Sequence, residues 1–428
     1  MNESQAIEYL HSLCAFGMRP GLERMRALCA LLGHPQEKLR FVHIAGTNGK
    51  GSTCVMLESI LRAAGYRTGL FISPYVYDFC ERIQINGAPV AGETLAAAVS
   101  RVRGAISQME PELLPVTEFE ALTATAFLIY AQAGCDIVVL ETGLGGRLDS
   151  TNMIPTPLVS VITSISFDHT AILGESLVQI AREKCGIFKG GAAVVYPEQA
   201  PEALRTIHEC AKNTNTRLFF PDLGSIKDMK SSWYGTDFLY HHGGTYAYRV
   251  PLLGGHMIKN AAVVLTTVER LRELGFHITH ANVFYGMRTA KIPARMEVRT
   301  VEDVVTLTDG GHNPGCGTAL AEVLQKHFAG WHIESVCGMM ADKDAAGYLA
   351  AIAAHINRMT AVTLPPPRGE SAQTLARKAR SVGIDCDFEE SPQKAYHAAL
   401  QRLRDKENAM LLVCGSFVLA GEVRLVAG

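Results

Sequence analysis

At 428 residues the chain is too long for one typical core, and two or three domains are expected. A composition of 48% apolar and 19% charged residues is globular, and a net charge of −2 provides no basic field for nucleic acid or an anionic membrane surface. Eleven cysteines without a C-x-x-C pair signal neither a zinc site nor a redox dithiol, and their odd number suits a reducing compartment.

The first residues, MNESQAIEYLHSLCAFG, lack the basic region and long apolar core of a secretion signal. No stretch comes near the ~18 apolar residues of a membrane span, so a cytoplasmic chain is expected. Residues 4–32 read as one or two helices broken near Met18-Arg19-Pro20-Gly21. Phe41, Val42 and Ile44, with Leu39 upstream, form a short apolar run that reads as a buried strand. It runs into HIAGTNGKGST at 43–53, after which Val55, Leu57, Ile60 and Leu61 recur at roughly helical spacing. Strand, glycine turn with one lysine, and helix make a phosphate cradle: backbone N–H groups and the helix dipole face the anion, and Lys50 adds a point charge. Gly46, Gly49 and Gly51 let the backbone approach closely. The spacing G-x-x-G-K-G-S is shorter than the P-loop pattern, which places glycine where Ile44 stands.

Residues 69–72 read as a second strand ending at Ser73-Pro74, and 81–90 as a hairpin about Asn86-Gly87. Segments 93–108 and 120–133 have helical periodicity. Residues 136–140 are a buried strand ending in Glu141, and 158–165 another. Alternating strands and helices argue for an α/β fold with a mostly parallel, doubly wound sheet. Residues 177–187 form a further helix. The polar, aromatic stretch 212–249 reads as small β elements at the edge of the first domain, and 256–274 as a helix. Residues 289–297 look like a connection, which puts the domains at 1–293 and 294–428. Strands at 304–308, 331–337, 360–364 and 410–414 then alternate with helices at 317–328, 345–356, 371–381 and 392–404, a smaller Rossmann-like α/β domain. Pro365-Pro366-Pro367 is a stiff loop.

Open α/β sheets bind ligands beyond the carboxyl ends of their strands. Glu141 closes an apolar strand, where a carboxylate holds a nucleotide-bound Mg²⁺ or simply caps a turn. Gly143, Gly145 and Gly146 allow a tight loop beside it. His169, in Asp168-His169-Thr170, is either a metal or phosphate contact or a structural histidine. Asp309 with His312-Asn313-Pro314 is either a turn or a second-domain group facing the phosphate loop across a closing cleft. Ser73 completes a magnesium shell or caps its turn. Lys184, taken alone, reads as a solvated lysine, and Arg295 as a phosphate clamp or a plain surface arginine.

Together these stretches resemble the folylpolyglutamate synthase/dihydrofolate synthase family of the Mur ligase superfamily. The resemblance runs through GTNGKGST (46–53), SPY (73–75), ERIQING (81–87), TEFEALTA (117–124), ETGLGGRLDSTN (141–152), FDHTAILG (167–174), AREKCGI (181–187), PARME (293–297), DGGHNP (309–314), GMMADKD (338–344) and GSFVLAGE (415–422). It implies that Gly46, Thr47, Asn48, Gly49, Lys50, Gly51 and Ser52 hold the ATP phosphates, and that Asn260, Arg295 and Asp309 touch the nucleotide. It implies Ser73, Glu141 and His169 as Mg²⁺ ligands and a carbamylated Lys184 near a second Mg²⁺. His312 and Ser416 lie in motifs near the glutamate site. Thr117, Glu118, Phe119 and Glu120, with Leu148, Asp149 and Ser150, match segments that touch the pterin substrate. Three positions depart from the family pattern: Tyr75 for histidine, Ala294 for glycine and Gly311 for alanine.

The expected chemistry is ATP-dependent amide ligation. A folate or dihydropteroate carboxylate attacks the γ-phosphate, and the amine of L-glutamate then displaces phosphate from the acyl phosphate. Lys50, Mg²⁺, His169 and Arg295 supply the charge neutralisation. A monomer acting on small molecules, with both dihydropteroate and tetrahydrofolate accepted, is the expectation. A P-loop kinase, a cell-wall Mur ligase and a non-catalytic nucleotide sensor are the competing readings. The presence of Lys50, Glu141, His169 and Asp309 argues against the sensor.

Overall fold

The strand β1 (Phe41–Ala45) is buried along its whole length, as a strand covered on both faces must be. In the computed structural model, which describes residues 1–16 and 20–427, it lies within an eight-stranded sheet. Met18 and Arg19, where a helix break is expected, lie outside the described residues. The other strands of this sheet are β2 (Thr68–Phe71), β3 (Ile83–Ile85), β4 (Ala88–Pro89), β5 (Ile137–Glu141), β6 (Val159–Ile162), β7 (Gly191–Val195) and β8 (Thr216–Phe219), in the order β4-β3-β2-β5-β1-β6-β7-β8. β1 pairs in parallel with β5 on one side and β6 on the other. The loops that leave these three strands therefore gather at one point, where a doubly wound sheet carries its ligand. Only the β3–β4 hairpin and its pairing to β2 are antiparallel. The hairpin turns at Asn86 and Gly87, both at positive φ (51° and 73°), as a two-residue Asn-Gly turn requires.

Apolar side chains cover this sheet in two clusters. Phe41, Phe71, Val138 and Leu140 pack with Leu95, Val99, Leu122 and Phe127 of the helices Gly92–Ile106 and Glu118–Ala133. Ile162, Ala193 and Val195 pack with Ile180 and Ile207 of the helices Leu177–Cys185 and Pro201–Asn213. The helix that follows the phosphate loop, Lys50–Ala63, packs on the helix His280–Thr289. Gly286 makes that approach possible, because a Cβ there would meet the Ile60 backbone and the Ser59 carbonyl (2.7 Å).

Three further strands, β9 (Ile226–Ser232), β10 (Gly235–His241) and β11 (Thr245–Val250), form a sheet in the order β11-β10-β9. The remaining strands are β12 (Glu297–Val301), β13 (Val304–Asp309), β14 (His332–Cys337), β15 (Arg358–Val362), β16 (Cys386–Glu389) and β17 (Ala409–Cys414). They make a six-stranded sheet, β12-β13-β17-β14-β15-β16, parallel except for the β12–β13 hairpin. Its two faces carry separate apolar clusters, around Leu307, Tyr348 and Leu412 on one and Val336, Leu400 and Val413 on the other.

The chain divides into two compact units. One comprises Met1–Lys227, Leu239–Tyr248 and Lys259–Ala290, the other Asp228–Phe238, Arg249–Ile258 and Lys291–Gly428. The stretch 212–249 is therefore not simply the edge of the first domain. Residues 228–238 belong with the second unit, where Trp233 stacks on Phe328 (5.4 Å) and packs edge-on against Trp331 (5.2 Å). The expected strand at 158–165 is shorter, since the backbone after Ile162 turns into the loop beside β1. The helix expected over 345–356 stops at Ile352, and a short 3₁₀ turn follows.

Candidate active site

Local geometry explains each glycine of the phosphate loop that matters. Gly46 leaves β1 at φ 155°, so close to Thr163 that a Cβ would overlap the threonine hydroxyl. Gly49 precedes the helix Lys50–Ala63 in the left-handed conformation (φ 85°), and a Cβ there would meet the Asn260 carboxamide at 2.7 Å. The loop is latched to the residues after β6. The Thr47 N–H donates to the Ser164 carbonyl (2.7 Å), the Thr47 hydroxyl to the Ser166 carbonyl (3.0 Å), and the Ser164 hydroxyl to the Asn48 carbonyl (3.2 Å). Sequence reasoning passed over this TSIS segment. Its signal was positional, since it follows the strand that flanks β1. Ser52 is buried in the first turn of the helix.

Three predicted groups meet at the ends of β1, β2 and β5. Glu141 is buried at the end of β5, accepts from the Ser73 N–H (3.1 Å), and lies 3.9 Å from the Lys50 ammonium. Lys50 also donates to the Thr47 carbonyl at 3.4 Å. The separation of 3.9 Å is loose for an ion pair, and Lys50 remains partly exposed (18%) and able to meet an anion. His169 sits just ahead of the short helix Thr170–Leu173 at φ 50°, with Asp168 Oδ1 accepting its N–H at 2.9 Å and lying 3.8 Å from Nε2.

Lys184 is not solvated. It is 4% exposed, and its ammonium donates to the Gly46 carbonyl at 2.7 Å, directly beneath the phosphate loop. Burial pushes its pKa down to about 7, with the Lys50 charge acting in the same sense and Asp168 and Asp149 opposing. The signal was present in the sequence. Ile180, Ala181, Lys184 and Cys185 fall on one helical face, and all four are buried.

Polar chains beneath the site hold the two segments that the resemblance links to the pterin. The Asp149 carboxylate accepts from the Leu144 N–H (2.7 Å), the Thr151 N–H (3.0 Å) and the Thr151 hydroxyl (2.5 Å). Because Thr151 donates to Asp149, it accepts from His43 Nε2 (2.9 Å), which fixes the histidine tautomer. Burial, with the Lys189 charge, lowers the His43 pKa to about 3, so the ring is neutral. Burial also raises the Asp149 pKa, against the pull of these hydrogen bonds. Asp149 and the buried Ser150 thus shape their own loop, and Leu148 beside them is half-buried.

Thr117 and Glu120 form a capping box at the start of the helix Glu118–Ala133, and Arg24 pairs with Glu120 at 2.9 Å. These contacts fix the start of the helix and with it the position of the segment. Phe119 lies against Gly143, where a Cβ would collide with its ring, and tilts on Phe71 at 5.8 Å. Glu118 meets His11, Cys14 and Arg82. Tyr75, one of the departures, packs on Phe79 (5.5 Å) under the Arg82 guanidinium (5.3 Å).

In the second unit Asp309 ends β13, buried, and accepts from the Met296 N–H (3.2 Å) and the Gly311 N–H (3.0 Å). Burial raises its pKa while Arg295 holds it back. Arg295 is half-buried, not a plain surface arginine, and lies 4.3 Å over the Phe417 ring. Its neighbours Ala294 and Met296 are both left-handed (φ 52° and 48°), which turns the chain sharply around it. Glycine would meet that demand at Ala294 without strain. His312 hydrogen-bonds the Gly310 carbonyl (3.1 Å), Asn313 caps the helix Pro314–His327, and the buried Ser416 hydroxyl accepts from the Val418 N–H (3.1 Å). A Cβ on Gly311 would press on Cys316 Cβ (2.7 Å) and Asp309 Oδ2 (2.5 Å), which accounts for glycine at this departure.

A family model described as the Mur ligase middle domain matches residues 44–268, and one described as the Mur ligase, glutamate ligase domain matches 294–417. The chain is 39% identical over 344 residues to a dihydrofolate synthase/folylpolyglutamate synthase of Bacillus subtilis, covering 79% of this chain and 80% of that protein. It is similar to the folylpolyglutamate synthase of Mycobacterium tuberculosis solved with ADP and AMPPCP: the TM-score is 0.92 at 30% identity, over 100% of this chain and 99% of the other. It is also similar to Escherichia coli FolC in complex with DHPP and ADP, with a TM-score of 0.87 at 31% identity over 100% and 97%.

Proposed function

The chain belongs to the folylpolyglutamate synthase/dihydrofolate synthase family of the Mur ligase superfamily, and on that premise we propose how its residues perform the reaction. It is an ATP-dependent ligase that joins a folate carboxylate to the amine of L-glutamate. The substrate carboxylate oxygen attacks the γ-phosphorus and ADP leaves. The glutamate amine then attacks the acyl carbon, loses a proton, and phosphate departs.

The observation that carries this reading is the meeting of Lys50, the Ser73 segment and the buried Glu141 at the end of β1. Each reacting partner is an anion, so the site must neutralise charge and align in-line attack. Gly46, Thr47, Asn48, Gly49, Gly51 and Ser52 form the loop assigned to the phosphates, through its backbone N–H groups other than that of Thr47, which the Ser164 carbonyl holds, and Lys50 supplies the ammonium. Asn260, Arg295 and Asp309 are assigned to the nucleotide, His312 and Ser416 to the glutamate side, and the segments Thr117–Glu120 and Leu148–Ser150 to the pterin.

The side chains of Ser73, Glu141 and His169 fit Mg²⁺: one buried carboxylate, one hydroxyl and one imidazole leave coordination places for phosphate oxygens. When bound, the ion neutralises phosphate charge and polarises the γ-phosphoryl group. Lys184 fits carbamylation, because an amine with its pKa at about 7 is largely neutral near physiological pH and can attack CO₂, losing a proton to leave a carboxylate. That carboxylate would give a second Mg²⁺ its ligand.

We assign the domains to 1–293 and 294–428, apart from residues 228–238 and 249–258, which belong with the second unit, and take the enzyme as a cytoplasmic monomer. Among the described residues no helix is long and apolar enough to cross a membrane. We assign both dihydropteroate and tetrahydrofolate as substrates, supported by the Bacillus subtilis relative, whose name carries both activities. The test is one assay with each substrate in turn, with ATP and L-glutamate. Glutamylation of both is expected. Turnover of one alone removes the bifunctional assignment, and turnover of neither removes the reading.

A further inference from the structure

Away from the phosphate loop, three chemically distinct donors converge. His11 lies in the last turn of the helix Glu3–Ser12, and Cys14 follows in the short turn Leu13–Phe16. The H-x-x-C spacing puts both side chains on one face of a continuous turn. Glu118 reaches them from the first turn of the helix Glu118–Ala133. His11 Nδ1 is 3.3 Å from Glu118 Oε1, and the Cys14 thiol donates to Glu118 Oε2 at 2.6 Å. The three donor atoms lie within 4.8 Å of one another.

From this geometry we infer that His11, Cys14 and Glu118 form a binding site for a thiophilic divalent metal of the zinc class, with a solvent molecule completing four coordination. Tetrahedral bonds of 2.0–2.3 Å set ligand atoms about 3.3–3.8 Å apart. The His11–Glu118 separation meets that range and the Cys14–Glu118 separation falls short of it, so closure needs movements on the order of 1 Å. Those fall on His11 and Cys14, which are exposed and can turn. The His11 ring is already steered by an edge-on contact with Phe79 (5.3 Å). Thiolate with imidazole and carboxylate favours zinc over magnesium or calcium, which take oxygen ligands. Binding replaces the Cys14 thiol proton, which is released to solvent. The Arg82 guanidinium, 3.8 Å from Glu118 Oε1, balances the carboxylate without metal; in the loaded site the thiolate and carboxylate cancel the two charges of the ion.

The site would tie the first helix to the segment that opens at Thr117, beside Phe119. It is independent of the Mg²⁺ ligands assigned above. The absence of C-x-x-C pairs hid it, because its third ligand comes from more than a hundred residues away.

The test is a cobalt(II) titration of the untagged full chain, followed by absorbance. A thiolate-to-cobalt charge-transfer band saturating at one ion per chain, displaced by zinc, is expected. Cys14→Ser should lose the band and His11→Ala should weaken binding, with both variants keeping the wild-type circular dichroism. No band, or an undiminished band in Cys14→Ser, overturns the inference.

Discussion

Replacing Lys184 by methionine should make the protein more stable and inactive. The side chain is buried beneath the phosphate loop, and its pKa falls from the ordinary lysine value to about 7. That fall corresponds to about 4–5 kcal/mol of unfavourable burial at roughly 1.4 kcal/mol per tenfold. Methionine keeps the packing but gives up the hydrogen bond to the Gly46 carbonyl, worth about 1 kcal/mol. The net gain at pH 7 is therefore roughly 2–4 kcal/mol, below the full figure because the exchange of side chains is imperfect. The pH dependence has a fixed sign. Between about pH 7 and the ordinary lysine range the unfolded chain holds a proton that folded Lys184 lacks, so wild-type stability climbs with pH across that window and is flat below it. Urea unfolding from pH 6 to 10, in bicarbonate-free buffer, reads both effects. The climb should be present in the wild type and reduced in Lys184→Met. Equal slopes, or a variant less stable at pH 7, would refute the burial argument. Short carboxylates added to Lys184→Ala should restore part of the activity if the carbamate is the working form.

Lys50→Ala should lose at least 10²–10³ in rate, the usual loss for one charge stabiliser, with circular dichroism unchanged. Near-normal turnover would remove the phosphate cradle. Gly286→Ala should destabilise by about 2 kcal/mol, because the new Cβ presses on the Ile60 backbone and pushes the two helices apart; thermal unfolding reads the shift. Arg295→Gln should raise KM for ATP more than it lowers kcat, and should raise the Asp309 pKa further, since Arg295 is what holds it back. A carboxyl titration of the variant by NMR checks the second effect.

The parts legible in the sequence are those where one physical signal dominates. β1 and β5 are dominated by apolar residues, with His43 inside the first and Glu141 closing the second, the turn at Asn86-Gly87 has a single favoured geometry, and the order of motifs from Gly46 to Ser416 carries the family. Among the strands not read, β7 (GAAVV) lies inside the eight-stranded sheet and begins with three small residues, and two others are sheet edges. β12 (EVRTV) and β16 (CDFE) close the six-stranded sheet and mix charges with few apolar residues, so no buried run marks them. The helix His280–Thr289 was missed because Gly286 and its mixed faces weaken the periodicity, although that glycine is the contact point. Lys184 reads as solvated when taken alone because a charged side chain suggests solvent, and only the helical face it occupies shows otherwise. Thr117 and Glu120, members of a segment that the resemblance links to the substrate, also form a helix cap, which the T-x-x-E spacing announces.

Ligation stands or falls on where phosphate goes. Purified protein should be given ATP, Mg²⁺ and tetrahydrofolate, with ADP, inorganic phosphate and glutamylated product measured together, with and without L-glutamate. One ADP and one phosphate per amide bond formed, and no sustained phosphate release when glutamate is left out, is the expected result. Phosphate retained on the folate, or ATP consumed equally without glutamate, would contradict it.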